Sequence, residues 1–286
     1  MNPNYLDFEQ PIADLEVKIE ELRLVGSDNE INIGEEIETL RAKSTKLTEK
    51  IYANLTPWQI VKVARHPLRP YTMDYLPLVF EEFDELHGDR HFGDDKAIVG
   101  GVARLEGRPV MVIGQEKGRA VKDKVLRNFG MPKPEGYRKA LRLMETAERF
   151  KMPVITLIDT PGGELSGRAE ESAMAGEIAR TLQTMSGLSV PSVSCVMGQG
   201  CGGAALALVP ANVVVCMENG WVSPLPPEGA SVITHRTPDR AAEMARQQGV
   251  GAESLVDAEV VDEVAAEGSD LPAAVADAVV TALVSQ

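Results

Sequence analysis

Two glycine-rich turns are the places where this chain could do chemistry with its backbone. In the first, Val154-Ile155-Thr156-Leu157-Ile158-Asp159 reads as a buried strand that runs into Thr160-Pro161-Gly162-Gly163. In the second, Val193-Ser194-Cys195-Val196-Met197 runs into Gly198-Gln199-Gly200-Cys201-Gly202-Gly203-Ala204. Glycine lets the main chain approach a ligand and turn its N–H groups inward. At a helix start, exposed N–H groups reinforced by the dipole stabilise an oxyanion or an enolate. Either turn alone reads equally as tight packing. Two of them, about 40 residues apart after successive strands, point to one edge of one sheet.

Other chemistries fit these residues less well. Gly198, Gly200 and Gly203 spell G-x-G-x-x-G, with Glu218 at the end of the next strand where an acid would hold a ribose. Pro210 and the strand start at Val213, however, leave room after the glycines for only about two helical turns before that strand, too few for a βαβ crossover. No Lys follows the glycines, so a phosphate loop is absent. Cys201 stands where hydrolases place a nucleophile, but none of His66, His87, His91 and His235 is near it in sequence, and it reads as an inert buried thiol. A cationic run, Lys117, Arg119, Lys122, Lys124 and Arg127, is either a solvated helix face or a site for phosphate or carboxylate. Phe129 is the only ring nearby, which disfavours single-stranded nucleic acid.

The elements that must position these residues belong to an α/β domain. Short apolar runs at Ala97–Leu105, Arg108–Gly114, Val154–Asp159, Ser192–Met197 and Val213–Met217 predict strands, the first two a hairpin turning at Glu106-Gly107. Helices are expected at Tyr137–Phe150, Glu170–Met185 and Pro272–Val284. Ahead of them, Ile12, Leu15, Ile19 and Leu22, then Ile37, Leu40, Leu47, Ile51 and Leu55, define two amphipathic helices. Ser44 interrupts the second; Gly26-Ser27-Asp28-Asn29 would join the pair as a hairpin that packs on its own domain or docks a partner. Residues 66–96, rich in Pro, aromatics and Asp, read as a linker. The domain organisation is therefore 1–65 helical hairpin, 66–96 linking and packing segment, and 97–286 main domain.

Charge narrows the class further. The 286 residues carry a net charge of −14, and 153–286 holds 17 acidic against 5 basic residues, whereas 1–152 is nearly neutral. Such a chain is a poor non-specific binder of nucleic acid or anionic membrane. Three cysteines without C-x-x-C spacing offer neither a disulfide framework nor a zinc ribbon. With no leader-like start and no apolar run of about 20 residues, a soluble cytoplasmic protein is expected.

Specific motifs then carry a resemblance. They include Leu6-Asp7-Phe8-Glu9-Gln10-Pro11-Ile12, Ala64-Arg65-His66-Pro67, Arg69-Pro70-Tyr71-Thr72, Gly88-Asp89-Arg90, Asp94-Asp95-Lys96-Ala97-Ile98-Val99-Gly100-Gly101, Arg127-Asn128-Phe129-Gly130-Met131-Pro132, Pro134-Glu135-Gly136-Tyr137-Arg138-Lys139-Ala140 and Ile158-Asp159-Thr160-Pro161-Gly162. In these the chain resembles the alpha subunit of bacterial acetyl-coenzyme A carboxylase carboxyltransferase. Beyond Gly163 it departs from the stand-alone alpha pattern, with Gly163-Glu164-Leu165-Ser166-Gly167 for Ala-Tyr-Pro-Gly and Gly200-Cys201-Gly202-Gly203-Ala204 for Gly-Gly-Ser-Gly-Gly. There it is more similar to the alpha part of fused actinobacterial carboxyltransferases.

The resemblance implies a crotonase-type (ClpP/crotonase-like) superhelix of repeated ββα units, preceded by the helical hairpin. It also implies transfer of a carboxyl group from carboxybiotin on a biotin carboxyl carrier protein to acetyl-CoA, giving malonyl-CoA for fatty acid synthesis. Activity would need a zinc-containing beta subunit in an α2β2 assembly, with no metal in this chain. Carried over by position, the N–H groups of Gly202, Gly203 and Ala204 face the biotin ureido oxygen, and a branched residue at Gly203 would crowd that side. Ala204 serves if its φ is negative. Gly162 and Gly163 shape the adjacent wall, Gly200 and Cys201 lead into the oxyanion turn, and Pro227, Glu228 and Gly229 border the biotin pocket or form only a Pro-rich turn. Three alternatives stay open: a biotin-linked malonyl- or acyl-CoA decarboxylase subunit, a crotonase-fold hydratase or hydrolase, and an inactive interaction subunit.

Overall fold

The computed structural model describes residues 5–25, 33–268 and 270–285. Helices α1 (Gln10–Val25) and α2 (Ile33–Tyr52) pair as expected, while the joining segment Gly26-Ser27-Asp28-Asn29 lies outside the described residues. Ser44, the polar break in the second amphipathic run, is buried and donates to Glu16 Oε1 at 2.6 Å; Tyr52 donates to Glu9 Oε1 at 2.5 Å. Later residues of α2 thus meet earlier residues of α1, and the helices run antiparallel. Thr56 caps α3 (Pro57–Ala64), whose C-terminal cap is Arg65.

The segment 66–96 is more than a linker. It supplies α4 (Thr72–Val79) and strand β1 (Glu81–Glu85). Tyr75 and Leu76 of α4 pack into the apolar core beside Val99, Val110 and Val112. Two features hid these elements in the sequence. Pro77 lies inside α4, and β1 is Glu81-Glu82-Phe83-Asp84-Glu85, whose charges are tolerated because the strand lies at a sheet edge and its side chains reach water. β1 crosses so close to its neighbour that a Cβ at Gly101 would strike the Asp84 carbonyl.

Among the described residues the sheet has eight strands: β1, β2 (Ile98–Leu105), β3 (Arg108–Gln115), β4 (Val154–Thr160), β5 (Ser192–Cys201), β6 (Val213–Met217), β7 (Trp221–Ser223) and β8 (Glu263–Ala265). The order is β1-β2-β3-β4-β5-β6-β8, with β7 paired to the far end of β5. The first three strands are antiparallel and those from β3 onward parallel. β2 and β3 join through Glu106 (φ 49°) and Gly107 (φ 75°), the two left-handed residues that a tight hairpin requires. β4 and β5 are buried along their whole length, and side-chain alternation feeds two cores. Ile155 and Leu157 face α4 and the C-terminal helix; Val154 and Ile158 face the opposite layer.

The remaining helices are α5 (Val121–Leu126), α6 (Pro134–Phe150), α7 (Gly167–Glu171), α8 (Met174–Ser186), α9 (Gly202–Leu206), α10 (Pro227–His235), α11 (Ala241–Gln247), α12 (Ala252–Asp257) and α13 (Leu271–Val284). The single helix expected at Glu170–Met185 is split into α7 and α8, and Ala173 between them is left-handed at φ 63°.

Asp95 anchors the start of α6. Its carboxylate, 3% exposed, accepts the Lys133 N–H at 2.7 Å and the Ala97 N–H at 3.0 Å. Burial pushes this carboxyl up from 3.8 to about 6. The folded state therefore holds the proton more tightly than the unfolded chain does. The associated stability is present below about pH 4 and is lost as pH rises through 6. Stability of the native chain relative to Asp95→Asn should fall by roughly 2–3 kcal/mol between pH 4 and 7. Urea denaturation of both proteins across that range checks this, and a pH-independent difference would refute it.

Candidate functional site

The two glycine turns do meet, at the C-terminal edge of β4 and β5, where Thr160 pairs with Gly200. In parallel sheets, ligands bind at that edge. Gly163 lies directly against Ala204: a Cβ at Gly163 would stand 3.7 Å from the Ala204 Cβ, the Met174 Cε and the Tyr137 hydroxyl. That hydroxyl is fully buried, with no hydrogen-bond partner among the described residues. Gly162, at φ 139°, has nothing within 4 Å of its open side.

The second turn enters α9 through Cys201 as N-cap. Gly202 takes φ 65°, which glycine adopts without strain. Ala204 lies within the helix and outside the left-handed region, so its N–H keeps the direction that glycine would give. Gly203 is exposed, but a Cβ there would point at Ile178 of α8, 3.5 Å away. A branched residue at 203 therefore presses on α8.

Buried polar side chains fix the spacing of the turns. Gln115, fully buried at the end of β3, accepts the Asp159 N–H at 3.1 Å and donates to the Ala204 carbonyl at 3.0 Å. Asp159, 1% exposed, accepts the Gln199 N–H at 3.0 Å and the Lys117 ammonium at 2.6 Å. Gly198 leaves room for this carboxylate, since a Cβ there would stand 2.6 Å from it; Gly200 leaves room for Val222 and Trp221 on β7. Two glycines of the apparent dinucleotide pattern thus serve packing. Cys201 is 2% exposed, and burial pushes its thiol up to about 11, so it is no nucleophile.

Beside the turns opens a cleft of about 560 Å³, lined by Pro161, Gln199, Pro226 and Glu228 together with Lys117, Lys124 and Phe129. Arg65 and Tyr71 also line it. Arg65 donates to the Gln199 amide oxygen at 2.8 Å, pairs with the Glu228 carboxylate, and lies 5.6 Å from the centre of the Trp221 ring. Burial works against the Glu228 anion, but Arg65 holds its carboxyl below the usual range.

The cationic run divides. Lys117 and Lys124 line the cleft, whereas Arg119 stacks on Tyr71 and bonds Asp74 and the Pro67 and Arg69 carbonyls. Arg127 bonds Asp123 and the Lys96 carbonyl. Of the residues expected to hold a ligand, Glu228 lines the cleft, Pro227 is buried at the start of α10, and Gly229 follows it against Pro226.

Gln115, Asp159 and Arg65 escaped the sequence reading as site residues, and Lys117 entered it only as one cation of the basic run. A carboxylate closing an otherwise apolar strand was the available signal for Asp159. Among the described residues no group of three or more His, Cys, Asp or Glu side chains could hold a metal, and no helix is long and apolar enough to cross a membrane.

The family described as acetyl co-enzyme A carboxylase carboxyltransferase-like matches residues 5–284. The acetyl-coenzyme A carboxylase carboxyl transferase subunit alpha of Saccharophagus degradans is 59% identical over 263 residues, covering 92% of this chain and 83% of the relative. That of Teredinibacter turnerae is 59% identical over 267 residues, covering 93% and 84%. The match runs through both halves, so the departures at 163–167 and 200–204 are local ones within it. Among solved structures, the transcarboxylase 12S core with methylmalonyl-coenzyme A superposes with a TM-score of 0.60 at 22% identity, covering 74% of this chain and 40% of that one. The beta subunit of Pseudomonas aeruginosa geranyl-CoA carboxylase gives 0.59 at 16%, covering 79% and 44%. These share the crotonase-type fold, and the sequence matches show that the chain belongs to the alpha-subunit family of acetyl-coenzyme A carboxylase carboxyltransferases.

Proposed function

We propose that this chain is the alpha half of an enzyme that moves a carboxyl group from carboxybiotin, carried by a biotin carboxyl carrier protein, to acetyl-CoA. The product is malonyl-CoA, committed to fatty acid synthesis. The observation that carries this reading is the junction of the two turns, with Gly163 against Ala204 and both held by Gln115 and Asp159 beside the cleft.

The residues present suit biotin. The cleft combines apolar groups, Phe129, Pro161 and Pro226, with polar groups at Gln199, Arg65 and Lys117, and at the adjoining turn Gly162 has nothing within 4 Å of its open side. When bound, carboxybiotin supplies the carboxyl group and, through its ureido nitrogen, the base. The chain's own part is positioning and charge stabilisation. The first N–H groups of a helix have no partner within it, so Gly202, Gly203 and Ala204 offer donors for a developing oxyanion. Gly162 leaves its side of the wall open, Gly163 lets the first turn pack against Ala204, and Gly200 and Cys201 carry the strand into the second turn. Lys117 holds Asp159 and through it the Gln199 backbone; Glu228 fixes Arg65 against the Gln199 amide. No side-chain general base is needed.

A zinc-containing beta subunit would supply most of the acyl-CoA site, in an α2β2 assembly. Three free, buried cysteines suit a reducing cytoplasm. We assign the site to 97–286, with 66–96 packed onto the sheet and 1–65 ending in Arg65 at the cleft. The test is to co-purify the chain with a carboxyltransferase beta subunit and follow malonyl-CoA decarboxylation with free biotin. Biotin-dependent acetyl-CoA formation that needs both subunits is expected. Turnover by this chain alone, or turnover indifferent to biotin, would overturn the reading.

A further inference from the structure

Phe129 is held in an unfavourable backbone conformation with its ring half in solvent. Asn128, Phe129 and Gly130 have φ of 47°, 56° and 81°, three successive left-handed residues. Asn and Gly tolerate that region, but for a bulky side chain it costs roughly 1–2 kcal/mol. Burial does not offset the cost, because Phe129 is 51% exposed.

The surrounding structure enforces this turn. The Asn128 amide donates to the Met131 carbonyl at 2.9 Å and to the Glu164 carboxylate. The Thr160 hydroxyl, at the end of β4, donates to the Gly130 carbonyl at 2.7 Å. A Cβ at Gly130 would strike the Lys117 side chain, which itself pairs with Asp159. The turn is thus fastened to the first glycine turn and to the ion pair that spaces the two turns, and the ring it presents lines the cleft with Pro161 and Gln199. Strain kept in place by so many contacts marks a functional position.

We propose that this left-handed turn serves to present the Phe129 ring as the apolar wall against which the biotin ring system lies. This rests on the reading given under Proposed function. Biotin has one apolar ring fused to one polar urea, and the cleft lining carries both kinds of group, with Phe129, Pro161 and Pro226 among Gln199, Arg65 and Lys117. A ligand that is anionic throughout would need the cations and not the ring.

Phe129→Gly removes the ring and relieves the backbone at once, so structure and function separate. The melting temperature of the isolated chain should stay level or rise, and the complex with beta should still form. KM for free biotin in malonyl-CoA decarboxylation should rise about tenfold, with the loss in KM rather than kcat. Independently of turnover, saturation transfer from protein aromatic protons to biotin ring protons, measured by ligand-observed NMR on the complex, should drop sharply. Phe129→Tyr should restore both. Unchanged KM and transfer would overturn the assignment. Loss of the beta subunit on purification would also overturn it, placing the ring with exposed Val121, Val125 and Leu126 in a subunit contact. A native complex that ignores biotin removes the functional reading and this assignment together; a biotin-dependent native complex indifferent to Phe129→Gly removes this assignment alone.

Discussion

Lys117→Met should destabilise the chain by about 3–5 kcal/mol and lower biotin-dependent decarboxylation at least ~100-fold. Lys117 and Asp159 side chains are 11% and 2% exposed, and the ammonium is the only cation bonded to that carboxylate among the described residues. Methionine keeps the apolar stem and deletes the charge, leaving a buried carboxylate whose remaining partner is the Gln199 N–H. The carboxylate must then draw in water or take up a proton, and either response shifts the Gln199 backbone at the mouth of the second turn. A displacement of about 1 Å there is enough for the loss of rate. Urea denaturation and the decarboxylation assay check the two effects. The Lys117→Met, Asp159→Asn double variant should recover much of the stability, because no charge is then stranded, while activity stays low. Native stability in Lys117→Met would show the pair to be dispensable.

A second large effect is expected at the base of α6. Lys139 is fully buried and donates to Asp94 at 2.9 Å and to the Ile98 carbonyl at 2.8 Å, with Glu85 farther away at 3.7 Å. Asp94→Asn removes its closest counter-charge and should cost about 3 kcal/mol or more. Lys139→Met should cost less, since the Asp94 it leaves is 24% exposed and still bonded to Lys96 at 2.8 Å. Melting temperatures give the order, and the reverse order would refute the argument.

The same carboxylate sets an acid limit. Burial opposes its ionisation, but hydrogen bonds from Lys96 and Lys139 hold Asp94 well below the usual carboxylate range. Its folded-state value is depressed, so its contribution is present above about pH 4 and is lost as pH falls toward that value. Asp89 adds to this limb: against the cost of burial, the His91 N–H and Arg138 hold it at about 2. Asp95, one residue from Asp94, is shifted in the opposite direction: burial pushes its carboxyl up, and its two backbone donors, with no bonded cation, do not offset that.

By itself the sequence determined the family, the strand–helix alternation, the Glu106-Gly107 hairpin and the two glycine turns. Each is written in neighbouring residues, as a period of apolar side chains or as a residue type that only certain backbone angles accept. Where local chemistry and tertiary role conflict, local reading fails. Ser44 breaks an apolar stripe because its hydroxyl meets Glu16, and β1 is acidic because it lies at an edge. Only the tertiary structure decided which side chains make the site. Arg65 reaches Gln199, 134 residues away, and Glu228, 163 away; Gln115 reaches Ala204, 89 away; Lys117 reaches Asp159, 42 away. Each buried polar group is stable only when its partner arrives, and the partner comes from another strand or helix. That pairing is set by the sheet order and leaves no spacing in the sequence from which it could be read.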